Sequence, residues 1–186
     1  YEDFLSRFAG RDERFAMGEM ANELGIEYDE ELFREWSQRK AAAYAQFVSE
    51  HAEPMPGAVD FVAAVARAMP VGLATGSRRS DVDSALRVLA GGRLEGLFKT
   101  IVTSDDVPET KPHPATYAKA VRDLGFEPAD CIALEDSPNG ILSAKGAGLR
   151  VIGISAMHGP EKLMDADRVV PDLRGASLET LYSWLD

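Results

Sequence analysis

Apolar residues recur at helical spacing along the first fifty or so positions. Phe15, Met20 and Leu24, then Leu32, Trp36, Ala43 and Phe47, return at roughly one turn each, and no convincing strand appears before Glu53. At Pro54-Met55-Pro56-Gly57 the pattern changes. Helical stretches such as Val59, Val62, Val65, Ala66 and Met69 now alternate with short apolar runs. The change predicts a domain boundary, with a helical unit over residues 1–53 and a second unit over 54–186. The runs of that second unit are Val71 to Ala74, Thr100 to Thr103, Cys131 to Leu134 and Val151 to Ile154, with a weaker one from Arg168 to Val170. They are nearly continuous rather than alternating, which is how strands buried on both faces read. Amphipathic helices separate them, carrying Tyr117, Val121 and Leu124 in one case and Ile141, Leu142, Ala144 and Ala147 in another. This is the pattern of an α/β fold with a doubly wound parallel sheet. Such sheets bind ligands beyond the carboxyl ends of their strands, so the polar residues directly after each run are the first to inspect.

Composition narrows the ligand. The chain has 186 residues, 45% hydrophobic and 27% charged, enough for one buried core and a smaller appended unit. A formal net charge of -11 opposes attraction to nucleic-acid or membrane phosphates and favours a small molecule as partner. No apolar run reaches eighteen residues, and the opening Tyr1-Glu2-Asp3 has neither a basic start nor an apolar stretch, so membrane insertion and secretion are not expected. The single Cys131 has no internal disulfide partner, and one cysteine with three histidines argues against a thiolate zinc site. A cytoplasmic location and a core position for Cys131 are the expectations.

Three turns carry chemistry. The first run ends in Ala74-Thr75-Gly76-Ser77-Arg78-Arg79-Ser80, feeding a helix with Val82, Leu86 and Leu89. Backbone N–H groups at the helix start, exposed by Gly76 and joined by the Thr75 and Ser77 hydroxyls, suit phosphate oxygens. The plainer alternative is an N-cap followed by two solvated arginines. After the second run, Pro112 and Pro114 bracket His113 and fix the chain directly after Lys111. A lysine so held neutralises a transferring phosphoryl group as a point charge and gathers nearby carboxylates; the alternative is a solvated lysine before a helix whose first turn carries Pro114. His113 reads as a loop residue, since no histidine or acid follows it at i+4. The third run leads into Glu135-Asp136-Ser137-Pro138-Asn139-Gly140. Ser137 reads as an N-cap and Pro138 as the first helical residue, which holds two carboxylates just ahead of a helix. Paired hard oxygen donors suit Mg2+, whereas attraction to a helix dipole accounts for only one of them. All three turns follow strands, so a parallel sheet collects Thr75, Lys111, Glu135 and Asp136 on one edge, and phosphoryl chemistry follows from their meeting.

These residues, in this order and at these separations, resemble the haloacid dehalogenase-like hydrolases, in particular the subgroup of β-phosphoglucomutase and many sugar-phosphate phosphatases, over essentially the whole chain. The family's second motif closes a strand with Ser or Thr, similar to Thr75; the third is a Lys before Pro, similar to Lys111; the fourth is an acidic pair, similar to Glu135-Asp136. The resemblance implies a Rossmann-like core under a helical cap that selects the substrate. Thr75, Gly76, Ser77 and Lys111 are then implied to hold the phosphoryl oxygens, and Asp136 with Glu135 to bind Mg2+ directly or through water. Phe8-Ala9-Gly10-Arg11-Asp12 resembles the cap loop whose arginine approaches the far end of the substrate, so Arg11 is implied to clamp a distal phosphate or carboxylate. Arg78 and Asn139 are further implied lining residues. The paired acids set the chain apart from the halide-releasing branch, which works without a metal.

The family's first motif is Asp-x-Asp at the end of the first strand, where one Asp attacks phosphorus and the other handles the proton. Nothing here matches it: Asp81-Val82-Asp83 lies within a helix after the second motif, and Asp165-Ala166-Asp167 follows no apolar run. An upstream segment of one strand, one loop and part of a helix is therefore expected before Tyr1. Its first core strand, absent from residues 1–186, belongs in the middle of the sheet, and without it the neighbouring strands expose unpaired edges. The expected function is Mg2+-dependent hydrolysis of a small phosphorylated metabolite, a sugar phosphate, through a phospho-aspartate whose Asp lies upstream. The alternatives are a phosphomutase of β-phosphoglucomutase type or, if the chain works as it stands, a noncatalytic phosphate-ligand or partner-binding module.

Overall fold

The computed structural model describes residues 12–184. Arg11, with its implied role at the distal end of a substrate, lies outside the described residues. Helix α1 (Glu13–Leu24) starts where the Asp12 carboxylate accepts the Phe15 N–H at 2.8 Å. Asp29 caps α2 (Glu30–His51) in the same way through Leu32 N–H at 2.8 Å. Both helices fall where the periodicity puts them, but the expected stripe is not the buried one. Met17 and Ala21 are covered on α1 and Phe33, Ser37 and Val48 on α2, while Leu24 and Phe47 stand 66% and 59% exposed. The contact line runs through polar side chains. The Ser37 hydroxyl donates to the Glu13 carboxylate, and Lys40 donates to Glu13 at 2.8 Å and to Asp81 of the α/β part. An apolar-only reading of the period steps over such residues.

The α/β part runs α3 (Ala58–Ala68), β1 (Gly72–Ala74), α4 (Arg79–Val88), β2 (Thr100–Val102), α5 (Ala115–Leu124), β3 (Ile132–Glu135), α6 (Pro138–Gly146), β4 (Arg150–Ile154), β5 (Arg168–Val170) and α7 (Leu178–Ser183). Each of the five apolar runs is a strand, and every pairing is parallel. The chain enters this part through Gly57, whose φ is 82° and where a Cβ would lie 2.1 Å from the Leu173 carbonyl oxygen, a position open only to glycine. Ile141, Ala144, Tyr117 and Val121 pack with Ala133 and Val151, while Phe61, Val65, Leu173 and Leu181 pack with Ile152, Ile154 and Val170. Both faces of β4 are thereby buried, which is why that strand reads as a continuous apolar run.

The pairs of Asp-x-Asp spacing have structural work. Asp81 and Asp83 sit in the first half of α4, Asp81 buried against Lys40 and Asp83 paired with Arg79 at 2.8 Å. Asp167 accepts the Val151 N–H at 2.7 Å and Lys145 at 2.6 Å, which ties the start of β5 to β4 and holds its carboxyl below the usual carboxylate range, chiefly through Lys145.

The strands form two sheets rather than one. Gly72 to Ala74 pair with Thr100 to Val102, and separately β3, β4 and β5 pair in that order, Ile132 opposite Arg150 and Ile152 opposite Arg168. Between β1 and β3 runs a cavity of about 640 Å³, walled by Leu73 and Ala74 on one side, Ile132 and Leu134 on the other, and Phe61 and Val65 from α3.

Candidate active site

One end of that slot gathers the polar turns. Thr75, Gly76, Ser77, Lys111, Glu135 and Asp136 all line it there, so the carboxyl ends of strands from both sheets bring together the residues that the sequence places after them. Lys111 is 6% exposed, which excludes the reading of a solvated lysine. Its ammonium donates to the Ala74 carbonyl at 3.0 Å and to Glu135 Oε1. An ammonium has three protons, so two are committed and one is left for a ligand in the slot mouth. The Lys111 side chain thus spans from the end of β1 to the end of β3, two strands that do not pair with each other, and links them at the site.

Glu135 is the hub. Oε1 accepts from Lys111 and, at 2.7 Å, from the Tyr117 hydroxyl; Oε2 accepts from the Ser137 hydroxyl at 3.2 Å and from the Asp136 and Ser137 N–H groups at 3.2 and 3.4 Å. The donors on Oε1 include a cation, whereas those on Oε2 are long, so Oε2 is the oxygen freer to turn toward another cation. Ser137 caps α6 through Gly140 N–H at 3.1 Å, and Pro138 is the first helical residue, as the motif predicts. Gly140 is required by packing: a Cβ there would sit 2.0 Å from the Glu135 carboxyl.

Asp136 stands beside this pair with no donating side chain among the described residues. Burial, and then the Glu135 charge, raise its carboxyl above the ordinary value, against smaller opposing contributions led by Lys111. Counting formal charges, Lys111 offsets Glu135 and leaves Asp136 uncompensated, so the donor set fits one hard divalent cation with phosphate and water completing its shell. Among the described residues no group of three or more His, Cys, Asp and Glu lies close enough together to hold a metal unaided. Asp136 and Glu135 Oε2 are the protein oxygens that suit Mg2+. Burial and Glu135 push the Tyr117 phenol well above its usual range, so it acts as a donor and keeps its proton.

The first turn is organised differently from a plain N-cap. The Thr75 N–H donates to the Val102 carbonyl at 2.9 Å, and Thr75 Oγ1 accepts the Ser77 N–H at 3.1 Å. Helix α4 begins only at Arg79, whose N–H is taken by Asp105 Oδ2 at 2.9 Å. Its first N–H is therefore committed to a carboxylate, and any anion contact falls to Thr75, Gly76 and Ser77. Arg78 is not solvated freely either: its Nε pairs with Asp105 Oδ1 at 3.0 Å and its guanidinium lies 5.7 Å from the Phe33 ring centroid of α2. Asn139 is the second residue of α6, one turn below the acids. His113 is a loop residue paired with Glu109 at 3.2 Å, and Cys131 is half-buried just before β3 with its thiol pushed up by burial. Sequence reading missed Tyr117 as a polar member of the site, having taken it for an apolar helix residue, and missed Asp105, whose partners lie 26 and 27 residues away in the chain.

Residues 2–148 match the family described as haloacid dehalogenase-like hydrolase. The chain belongs to that family. Among its relatives is validoxylamine A 7'-phosphate phosphatase of Streptomyces hygroscopicus subsp. limoneus, 34% identical over 176 residues, covering 93% of this chain and 79% of the relative. The structure of CbbY from Rhodobacter sphaeroides in complex with phosphate superposes with a TM-score of 0.86 at 26% identity, over 97% of this chain and 82% of that one. A variant of the same protein was solved with xylulose-(1,5)bisphosphate. β-Phosphoglucomutase from Clostridium difficile superposes at 0.84 with 18% identity, over 99% of this chain and 81% of that one, which shows a shared fold. A member of this family of hydrolases with an α/β fold is what the sequence expectation requires. Among the described residues no helix is long and apolar enough to cross a membrane.

Proposed function

We propose that the protein is a phosphatase that removes phosphate from a small phosphorylated metabolite, a sugar phosphate, with Mg2+ as cofactor. The observation that carries this reading is the meeting of Lys111, the Thr75 turn and the Glu135-Asp136 pair at one mouth of a slot between two parallel strands. In this reading the free proton of Lys111 and the Thr75 to Ser77 turn hold the phosphoryl oxygens, and Asp136 with Glu135 Oε2 holds the cation. Bound Mg2+ supplies charge neutralisation and alignment of the phosphoryl group. In this reading the attacking Asp lies upstream of Tyr1, on an extended segment that would enter the slot. Apolar walls suit such a strand, and the unpaired edges of β1 and β3 offer it backbone partners on both sides. Among the described residues Asp130 lines the slot at the start of β3 and Asp136 at its end, and no other aspartate lines it. Attack forms a new carboxylate oxygen–phosphorus bond as the ester oxygen–phosphorus bond breaks; the second Asp of the family's first motif gives the leaving sugar oxygen its proton and then takes one from the water that releases phosphate from the acyl phosphate. Residues 1–53 act as the cap over a core of 54–186, with Arg11 clamping the far end of the substrate and Arg78 and Asn139, neither of which lines the slot, meeting it outside the slot mouth.

Support comes from relatives whose names record phosphatase activity or whose crystals hold phosphate or a sugar bisphosphate. The test is phosphate release by the full-length protein over a panel of sugar phosphates, with Mg2+ and with chelator. Mg2+-stimulated release of inorganic phosphate supports the reading. Isomerised phosphosugar without net release supports a mutase, and binding of phosphate with neither outcome supports a noncatalytic module.

A further inference from the structure

Tyr117 touches both Lys111 and Glu135 without belonging to any of the three turns. It lies in the first turn of α5, 7% exposed. Its hydroxyl donates to Glu135 Oε1 at 2.7 Å, and its ring centroid lies 4.8 Å from the Lys111 ammonium. The hydroxyl and the ring face therefore act on opposite members of one buried ion pair. We propose that Tyr117 is a positioning residue that locks the Glu135 carboxylate with Oε1 toward Lys111 and Oε2 toward the cation.

The reasoning is one of orientation. A carboxylate held at one oxygen by a lysine alone pivots about that contact, since an ammonium is a point charge without directional preference. The phenol supplies the direction. Its O–H fixes Oε1 from the α5 side, while Ser137 and the backbone N–H groups of Asp136 and Ser137 steady Oε2 from the α6 side. The ring meanwhile lies against the ammonium that donates to the Ala74 carbonyl, and so helps to keep Lys111 in place. Tyr117 thus acts through Glu135 on metal affinity and through Lys111 on phosphoryl placement.

This inference rests on the phosphatase reading, and the experiment separates the two. Mg2+ affinity is measured by calorimetry on full-length wild type, Tyr117→Phe, Glu135→Gln and the double variant, alongside kcat, KM and melting temperature. Tyr117→Phe keeps the ring and removes the O–H. The expected result is a loss of roughly ten- to hundred-fold in Mg2+ affinity and in kcat, with KM changed less, as for groups that orient metal ligands. The Tyr117→Phe loss should disappear when Glu135 is already Gln, because residues acting through one another are not additive. Tyr117→Phe with wild-type Mg2+ affinity, or a loss that adds in full to that of Glu135→Gln, overturns the proposal. So does a lowered melting temperature with unaltered kcat and Mg2+ affinity below the transition, which marks a purely structural tyrosine. Wild type that binds Mg2+ but releases no phosphate sinks the phosphatase reading and leaves the calorimetric test of Tyr117 intact.

Discussion

Adding a single methyl group at Gly140 tests how tightly the site is built. A Cβ at that position would fall 2.0 Å from Glu135 Cδ and Oε2 and 2.2 Å from Oε1. At an exposed site the far end of a glutamate swings aside at little cost. Here the carboxylate is 6% exposed with Lys111, Tyr117 and Ser137 all donating to it. Either α6 shifts away from β3, an overpacking cost of about 1–3 kcal/mol, or Glu135 leaves some of its donors, at about 1.5–3 kcal/mol for each hydrogen bond to a charged group. Gly140→Ala is therefore expected to cost roughly 2–4 kcal/mol, since the cheaper route is taken first and completed by part of the other. For a chain of this size each kcal/mol lowers the melting temperature by about 2–4 °C, so the shift is roughly 5–15 °C. Melting of wild type and variant is followed by circular dichroism, with the Mg2+-induced shift recorded for both. A smaller Mg2+ shift in the variant goes with the loss of stability. A melting temperature within about 1 °C of wild type, with the Mg2+ shift retained, refutes the argument that Glu135 has no room to move.

Two further substitutions probe the charges. Because burial raises the Asp136 carboxyl, its contribution to stability is present below the unfolded pKa and is lost as pH rises through the folded value. Asp136→Asn is thus expected to leave the metal-free protein at least as stable as wild type at pH 7 while abolishing the Mg2+-induced rise in melting temperature; a clear loss of metal-free stability contradicts this. Asp81→Ala removes the buried carboxylate that ties Lys40 of α2 to α4. The expected cost is roughly 1–3 kcal/mol, below that of a fully buried pair because Lys40 is 37% exposed and keeps Glu13. It should also speed proteolytic cleavage between Ala52 and Pro56, and a wild-type cleavage rate would show that this ion pair does not hold the helical part in place.

Lys40 illustrates why some of the molecule could not be read in advance. Apolar period predicts that α1 and α2 exist, because a helix repeats its environment every 3.6 residues. It does not say which stripe is covered. That choice fell to Ser37 and Lys40, whose partners Glu13 and Asp81 lie 24 to 41 residues away. Tyr117 shows the same limit at the site, since a tyrosine at a core-facing helix position reads as packing until its hydroxyl meets Glu135 across 18 residues.

What the amino-acid sequence determined by itself was local and periodic. Five apolar runs became five parallel strands, Ser137 and Pro138 began α6, and Thr75, Lys111 and Glu135-Asp136 came to one end of the slot because each lies at or beyond the carboxyl end of a strand. Those outcomes depend on backbone geometry and burial, which a few neighbouring residues dictate. Unpaired edges beside a missing middle strand were also expected from the sequence, but tertiary structure alone decided that Lys111 bridges the ends of β1 and β3 across a slot of about 640 Å³. It likewise committed Glu135 Oε1 and left Asp136 uncompensated, because the balance of charge and hydrogen bonds in a buried site is set by groups far apart in the chain that only folding brings within reach.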